Sequence, residues 1–171
     1  MSRHEFKCIE GHTAGMPVRL VISGQPDLVG ATQSDRRLDF IARHDAIRSG
    51  LMCEPRGHGM MSGAMLVPST RDDCDTGVLY LETSGCIPMC GHATIGLTTF
   101  VIEEGLIAPK TPGVLRLDTP AGVVEAHYAQ QAGKVARDEM RIDELVDGLI
   151  DRRAVGRHRA VVRLTKIGFL D

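Results

Sequence analysis

The stretch Met89-Cys90-Gly91-His92-Ala93-Thr94-Ile95-Gly96 decides the reading of this chain, because it places a thiol where a helix is about to begin. Upstream, Gly77 to Thr83 has the apolar, β-branched and aromatic character of a short strand, and Ser84-Gly85-Cys86-Ile87-Pro88 supplies turn residues that interrupt it. Downstream, Ala93, Ile95, Gly96, Leu97, Phe100, Val101 and Ile102 fit a mostly buried helix ending near Glu104-Gly105, where glycine can take the left-handed cap. Cys90 then falls at or near the helix N-cap. Unpaired N–H groups and the positive end of the helix dipole favour an anion there, whether thiolate or ligand carboxylate. The same field can draw a thiol's pKa from about 8.5 toward neutrality. Gly91 leaves room for a ligand beside the backbone, and His92 is placed to donate a hydrogen bond to a ligand or to the turn. The competing reading of Cys90 is a small buried hydrophobe, the usual role of a free cysteine.

Three further motifs accompany this one. Gly11 to Arg19 reads G-H-T-A-G-M-P-V-R, Gly50 to His58 reads G-L-M-C-E-P-R-G-H, and Leu117 to Glu125 reads L-D-T-P-A-G-V-V-E. Together with S-G-C-I-P-M-C-G-H-A-T-I-G at Ser84 to Gly96, and in that order, they make Cys8 to about Gly133 resemble the proline racemase and 4-hydroxyproline 2-epimerase family, which also includes hydroxyproline dehydratases. The resemblance implies one half of a diaminopimelate epimerase-like two-domain fold, α+β (mixed α/β), with strands wrapped around a central helix. It implies that Cys90 is one of two thiols facing each other across the substrate. It also implies that Gly91 and His92 help to hold the substrate carboxylate, largely through main-chain groups. Moving a proton from one face of an amino-acid α-carbon to the other needs an acid and a base on opposite sides. No cofactor and no metal are expected, so charge developing on the carboxylate falls to oriented N–H donors.

The family's second cysteine lies in a D-R-S-P-C-G-T-G type motif in a second domain, and these 171 residues contain nothing like it. Cys8 and Cys53 lie in apolar strand-like or turn-like settings that predict burial, whereas Cys74 sits in the polar stretch Thr70 to Asp75. A chain of this length suffices for one domain with a real core, so residues 1–133 are read as the N-terminal domain and 134–171 as a divergent tail. The tail holds seven of sixteen arginines, with Glu139 to Asp151 patterned as an amphipathic helix and Val161 to Phe169 as a strand. Two explanations compete for it: an insertion ahead of a degraded family segment, or truncation or a changed reading frame, which the abrupt loss of resemblance favours. Seven acidic residues share the tail, which argues for a solvated mixed-charge face over a nucleic-acid contact.

The net charge of -2, with 25% charged and 43% hydrophobic residues, gives no reason to expect a nucleic-acid partner. No run approaches membrane-spanning length, Met1 to Phe6 lacks a signal-peptide core, and five cysteines without framework spacing fit a reducing compartment; the expected location is cytoplasmic. The coarse reading places strands at Glu5–Ile9, Val18–Ser23, Met60–Val67, Gly77–Thr83, Val114–Asp118 and Gly122–Ala129. A helix at Ser34–Arg48 is expected to be capped by Ser34 and to bury Leu38, Ile41, Ala42 and Ile47.

The expected function is that of a cofactor-independent racemase or epimerase acting on proline or 4-hydroxyproline, inactive or weak alone, with a hydroxyproline dehydratase as a relative. The alternative is a non-catalytic remnant or ligand-binding module. A homodimer through the exposed half-interface is a further expectation. Cys86, Cys90 and His92 as metal ligands match no short zinc pattern. A Cys90 nucleophile paired with a distant histidine, His12 or His58, remains a competing arrangement.

Overall fold

A computed structural model describes residues 4–142, 162–164 and 167–168. The strands are β1 (Lys7–Thr13), β2 (Met16–Ser23), β3 (Ser62–Val67), β4 (Thr76–Glu82), β5 (Gly85–Ile87), β6 (Val114–Thr119), β7 (Gly122–Gln131), β8 (Lys134–Ile142), β9 (Val162–Leu164) and β10 (Ile167–Gly168). The helices are α1 (Gln33–Met52) and α2 (Gly91–Glu103). The strands form one sheet in the order β10-β1-β2-β3-β4-β6-β7-β8-β9, with β5 paired to β4. Pairing is parallel between β2 and β3 and between β4 and β6, and antiparallel elsewhere. Each parallel pair is bridged by a helical crossover, α1 for the first and α2 for the second, as parallel pairing requires.

The alternation along β3 and β4 assigns one helix to each face. Ala64, Val78 and Tyr80 join Leu97, Phe100 and Val101 of α2 in one apolar cluster. Met65, Val67, Leu79 and Leu81 join Phe40, Leu51 and Met52 of α1 in the other. The α2 cluster also draws on Val18 and Leu20 of β2, Leu115 and Leu117 of β6, and Val124 and Ala126 of β7, so the sheet curls around this helix. Every residue of α2 from Ala93 to Val101 is buried, the signature of a helix apolar on all sides. Leu164 of β9 and Ile167 of β10 are three residues apart at opposite ends of the strand order, so those ends lie within about 11 Å of each other.

The expected capping and buried face of α1 need correction. Thr32, not Ser34, is the N-cap: its hydroxyl accepts from the Asp35 N–H at 3.1 Å, and the Asp35 carboxylate accepts from the Thr32 N–H at 3.0 Å. Leu38, Ile41 and Ala42 are exposed and Ile47 is half-buried. The face turned to the sheet runs through Gln33, Arg37, Phe40, Ile47, Arg48 and Leu51, and its two arginines reach carbonyl oxygens, Arg37 that of Cys86 and Arg48 those of Glu82 and Thr83. An apolar count misses such a face.

Other boundaries also shift. The first strand runs on to Thr13, because the chain reverses over Ala14 and Gly15, both at positive φ, instead of over a longer turn. Gly85 to Ile87 fold back on β4 as β5, with only Thr83 and Ser84 in the turn. Cys8 and Cys53 are half-buried, while Cys74, expected in a polar loop, is 3% exposed. Glu139 to Ile142 are strand, not helix, and complete β8 against β7. The remainder of the expected helix, 143–151, lies outside the described residues. So do the parts of the expected strand at 161–169 that flank β9 and β10.

Arg19 joins two of the motifs in space. Arg19 is 9% exposed, and its guanidinium donates to the Glu10 carboxylate at 2.6 Å, to the Leu51 carbonyl, and to the Arg56 carbonyl at 2.8 Å, tying the second motif to the hairpin made by the first. Asp118, in the L-D-T-P-A-G-V-V-E motif, is likewise structural: one carboxylate oxygen accepts from Ser69, from the Thr70 N–H and from the Thr70 hydroxyl.

Candidate active site

Cys90 is the N-cap of α2, as its sequence context predicts, with extended backbone at φ -140 and ψ 114 and Sγ accepting from the Ala93 N–H at 3.4 Å. Thr94 anchors the same turn by donating its hydroxyl to the Cys90 carbonyl at 2.8 Å and approaches the Tyr80 hydroxyl at 2.7 Å. The first N–H groups of α2, those of Gly91 and His92 among them, have no acceptor within the helix. Glycine at 96 lets α2 seat against β2, since a Cβ there would stand 2.9 Å from Val18 Cγ1.

The β1–β2 hairpin and the ends of β3 and β4 converge on this end of α2. The β1–β2 hairpin supplies Thr13, whose hydroxyl donates to the His92 carbonyl at 3.4 Å, and Met16, whose carbonyl lies 3.0 Å from His92 Nε2. A carbonyl only accepts, so Nε2 carries the proton. The His92 ring therefore braces the turn. The start of β3 supplies Ser62, 3% exposed, whose Oγ lies 3.8 Å from Cys90 Sγ. The end of β4 supplies Glu82, whose Oε1 accepts from Ser62 Oγ at 2.5 Å. Ser62 and Glu82 escape sequence reading: twenty residues separate them, and only the β3–β4 register sets them opposite each other.

The electrostatics differ from the expectation at Cys90. Burial of the thiol is the largest influence and raises its pKa; the Ala93 N–H lowers it, the Glu82 charge raises it, and the Ser62 hydroxyl lowers it. Desolvation and the neighbouring carboxylate outweigh the helix terminus, so Cys90 rests as a protonated thiol. Cys74 and Cys86 are pushed up further, each to about 11, again by burial first.

The rival constellations come apart. Cys86 packs into the α1 cluster and Cys90 against the α2 cluster, on opposite faces of the sheet, so these two do not converge as metal ligands. His12 accepts the Gly15 N–H at Nδ1 at 3.3 Å, and His58 accepts the Met60 N–H at Nδ1 at 3.2 Å. Both histidines satisfy backbone groups in turns.

The fold and the thiol-bearing helix cap define a class of protein. The structure superposes on a hydroxyproline epimerase from Agrobacterium vitis with bound trans-4-hydroxy-L-proline at a TM-score of 0.75 and 24% identity, covering 82% of this chain and 42% of that one. A probable proline racemase from Agrobacterium radiobacter with bound carbonate gives 0.74 and 26%, covering 81% and 42%. A PhzF-family phenazine biosynthesis protein from Bacillus anthracis shares the fold at 0.52 and 17% identity, covering 78% and 39%. The described architecture is thus one half of the two-domain fold of these proteins.

The chain belongs to the proline racemase family, whose pattern matches residues 8–146, thirteen residues beyond the motif resemblance and through the whole of β8. It is 60% identical over 142 residues to a 4-hydroxyproline 2-epimerase of Ancylobacter novellus, covering 83% of this chain and 42% of that protein. It is 59% identical over 137 residues to a 4-hydroxyproline epimerase of Brucella ovis, covering 80% and 41%. The chain spans about two fifths of the length of these curated relatives. Among the described residues, no helix is long and apolar enough to cross a membrane.

Proposed function

We propose that this chain carries one half of a cofactor-independent epimerase site for 4-hydroxyproline, with proline as the second candidate substrate. Cys90 is the acid/base thiol on one face of the α-carbon. The Gly91 and His92 N–H groups receive the carboxylate. The observation that carries this reading is the position of Cys90 at the N-cap of α2, with its sulfur turned to Ser62 and beside N–H groups that have no acceptor within the helix. The naming of the 60% identical relative as a 4-hydroxyproline 2-epimerase supports hydroxyproline over proline.

The reaction follows from these groups. A base on the far side removes the α-proton, its electron pair delocalises toward the carboxylate, and the N–H donors stabilise that charge. Cys90 then delivers its own proton to the opposite face. The S–H bond breaks, the new C–H bond forms, and the sulfur keeps the electron pair. The far-side base is a thiol from a segment outside these 171 residues, so the half-site alone binds and does not turn over. Met16, whose carbonyl meets His92, and Met60, two residues before Ser62, are 43% and 59% exposed and offer apolar surface to the substrate ring, the second half or a second copy of the chain. No nucleic acid or membrane enters this scheme, and five free cysteines suit the cytoplasm.

Titration of the chain with trans-4-hydroxy-L-proline, followed by amide NMR, tests the half-site. The Gly91 and His92 resonances are expected to shift first, at millimolar ligand. Equal shifts with an amine lacking the carboxylate would contradict the assignment, as would shifts centred elsewhere. Shifts centred elsewhere would favour the other reading, a non-catalytic remnant or ligand-binding module that keeps the half-fold without turnover.

A further inference from the structure

The Ser62 hydroxyl has one proton and two claimants. Its Oγ lies 2.5 Å from Glu82 Oε1 and 3.8 Å from Cys90 Sγ, and the carboxylate can only accept. With the proton given to Glu82, the serine oxygen is left to accept from the Cys90 thiol, in the sequence S–H···O–H···O. A thiolate has no proton to give. It would need the serine hydroxyl to turn and donate to sulfur, which breaks the bond to Glu82. We propose that Glu82 is a positioning residue for the acid/base chemistry of Cys90: it holds the Ser62 hydroxyl turned away from sulfur, so that Cys90 waits as the acid and becomes a thiolate only by swinging that hydroxyl.

The surroundings leave the pair to settle this between themselves. From β4, the Tyr80 hydroxyl is engaged with Thr94 at 2.7 Å. From α2, the Ala93 N–H meets the sulfur directly, at 3.4 Å, and is the donor that favours the thiolate. From the β1–β2 hairpin, Thr13 and Met16 reach His92 rather than the sulfur. From α1, the Arg48 guanidinium lies 3.0 Å from each of the main-chain carbonyls of Glu82 and Thr83, and its charge is paired with Asp45 at 2.6 Å. Glu82 is thus the carboxylate facing this thiol among the described neighbours, and Ser62, buried in β3, is its link. Burial is the first cause of the raised Cys90 pKa; the Glu82 carboxylate adds to the rise directly, by its charge and by a side-chain hydrogen bond to the thiol, and a Ser62 hydroxyl turned to the sulfur lowers it.

In the proposed reaction the consequence is directional. When Cys90 gives its proton to carbon, the Ser62 hydroxyl turns from Glu82 to the new thiolate; no proton changes owner in that turn, and one hydrogen bond replaces another. The return of a proton to sulfur restores the bond to Glu82. The catalytic meaning rests on Cys90 being a proton-transfer thiol, whereas the coupling itself is a property of the chain without substrate.

The test is the pH dependence of iodoacetamide alkylation at Cys90, read by peptide mass spectrometry on the full chain. Glu82→Gln is expected to lower the midpoint by about one pH unit. In a Ser62→Ala background the same substitution is expected to move it less, by the direct effect of the Glu82 carboxylate alone. An unchanged midpoint in Glu82→Gln overturns the proposal, and so does an equal shift with and without Ser62. Cys74 and Cys86 report folding, since they alkylate slowly only while buried. Should Glu82→Gln unfold, Glu82→Asp replaces it, keeping the charge while drawing the carboxylate back from Ser62; a lower midpoint supports the proposal and an unchanged one overturns it. Failure of the half-site to bind hydroxyproline contradicts the proposed function and leaves this midpoint untouched.

Discussion

At the N-cap of α2 two opposed effects act on one sulfur. A helix terminus is worth about 0.3–1 kcal/mol to an anion at an accessible site, whereas burial of an ionisable group can move its pKa by several units in the opposite sense. At Cys90 burial leads, and Glu82 adds to it. The same balance without a helix terminus holds Cys74 and Cys86 at about 11. The raised values tie stability to pH with a definite sign. A buried thiol binds its proton more tightly folded than unfolded, so the unfolded chain releases protons first, from about pH 8.5 upward. Stability is full below that pH and falls as pH rises through about 11. Urea midpoints measured between pH 7 and pH 11 are therefore expected to be flat to about pH 8.5 and then to decline. A rise above pH 9 would contradict the burial of these thiols.

Elements show where sequence reading succeeds and where it stops. The end of α2 was legible because local chemistry determines it: Cys90 caps, and Gly105 follows the last turn at φ 61. Both central strands were legible because β3 and β4 are buried on both faces and read as apolar runs. The buried face of α1 was not, because Arg37 and Arg48 occupy it, satisfied by carbonyls of β4, β5 and the turn between them that no helical periodicity reveals. Ser62 and Glu82 were missed for a related reason. Each is ordinary in its own strand, and their meaning arises from register across twenty residues.

The seating of α2 gives a test at this scale. Alanine for glycine in a helix interior gains about 1 kcal/mol of propensity, yet at Gly96 the new Cβ meets Val18 at 2.9 Å. Gly96→Ala is expected to destabilise the chain by about 1–3 kcal/mol in urea denaturation, and Val18→Ala in the same chain to recover part of that loss. Stabilisation by Gly96→Ala would show that α2 does not sit this close to β2.

For the whole molecule, one sheet curls around α2 and carries α1 on its other face, so both helices have cores without help from a second domain. In the proposed function the site does not share that independence. The start of α2, the β1–β2 hairpin, Ser62 and Glu82 meet at one end of this half-fold, with exposed Met16 against His92. In the proposed reading that arrangement suits a surface on which a second half supplies the opposing thiol, and the matched residues cover about two fifths of the relatives' length.

The direct measurement is α-proton exchange on trans-4-hydroxy-L-proline in deuterium oxide, followed by NMR. It compares this chain alone, this chain joined to the remaining part of the Ancylobacter novellus relative, and the joined protein with Cys90→Ser. The account predicts no exchange by the chain alone, exchange by the joined protein, and a loss of at least about 10²-fold with Cys90→Ser. Exchange by the joined protein that survives Cys90→Ser undiminished would contradict the assignment of Cys90 as a proton-transfer thiol.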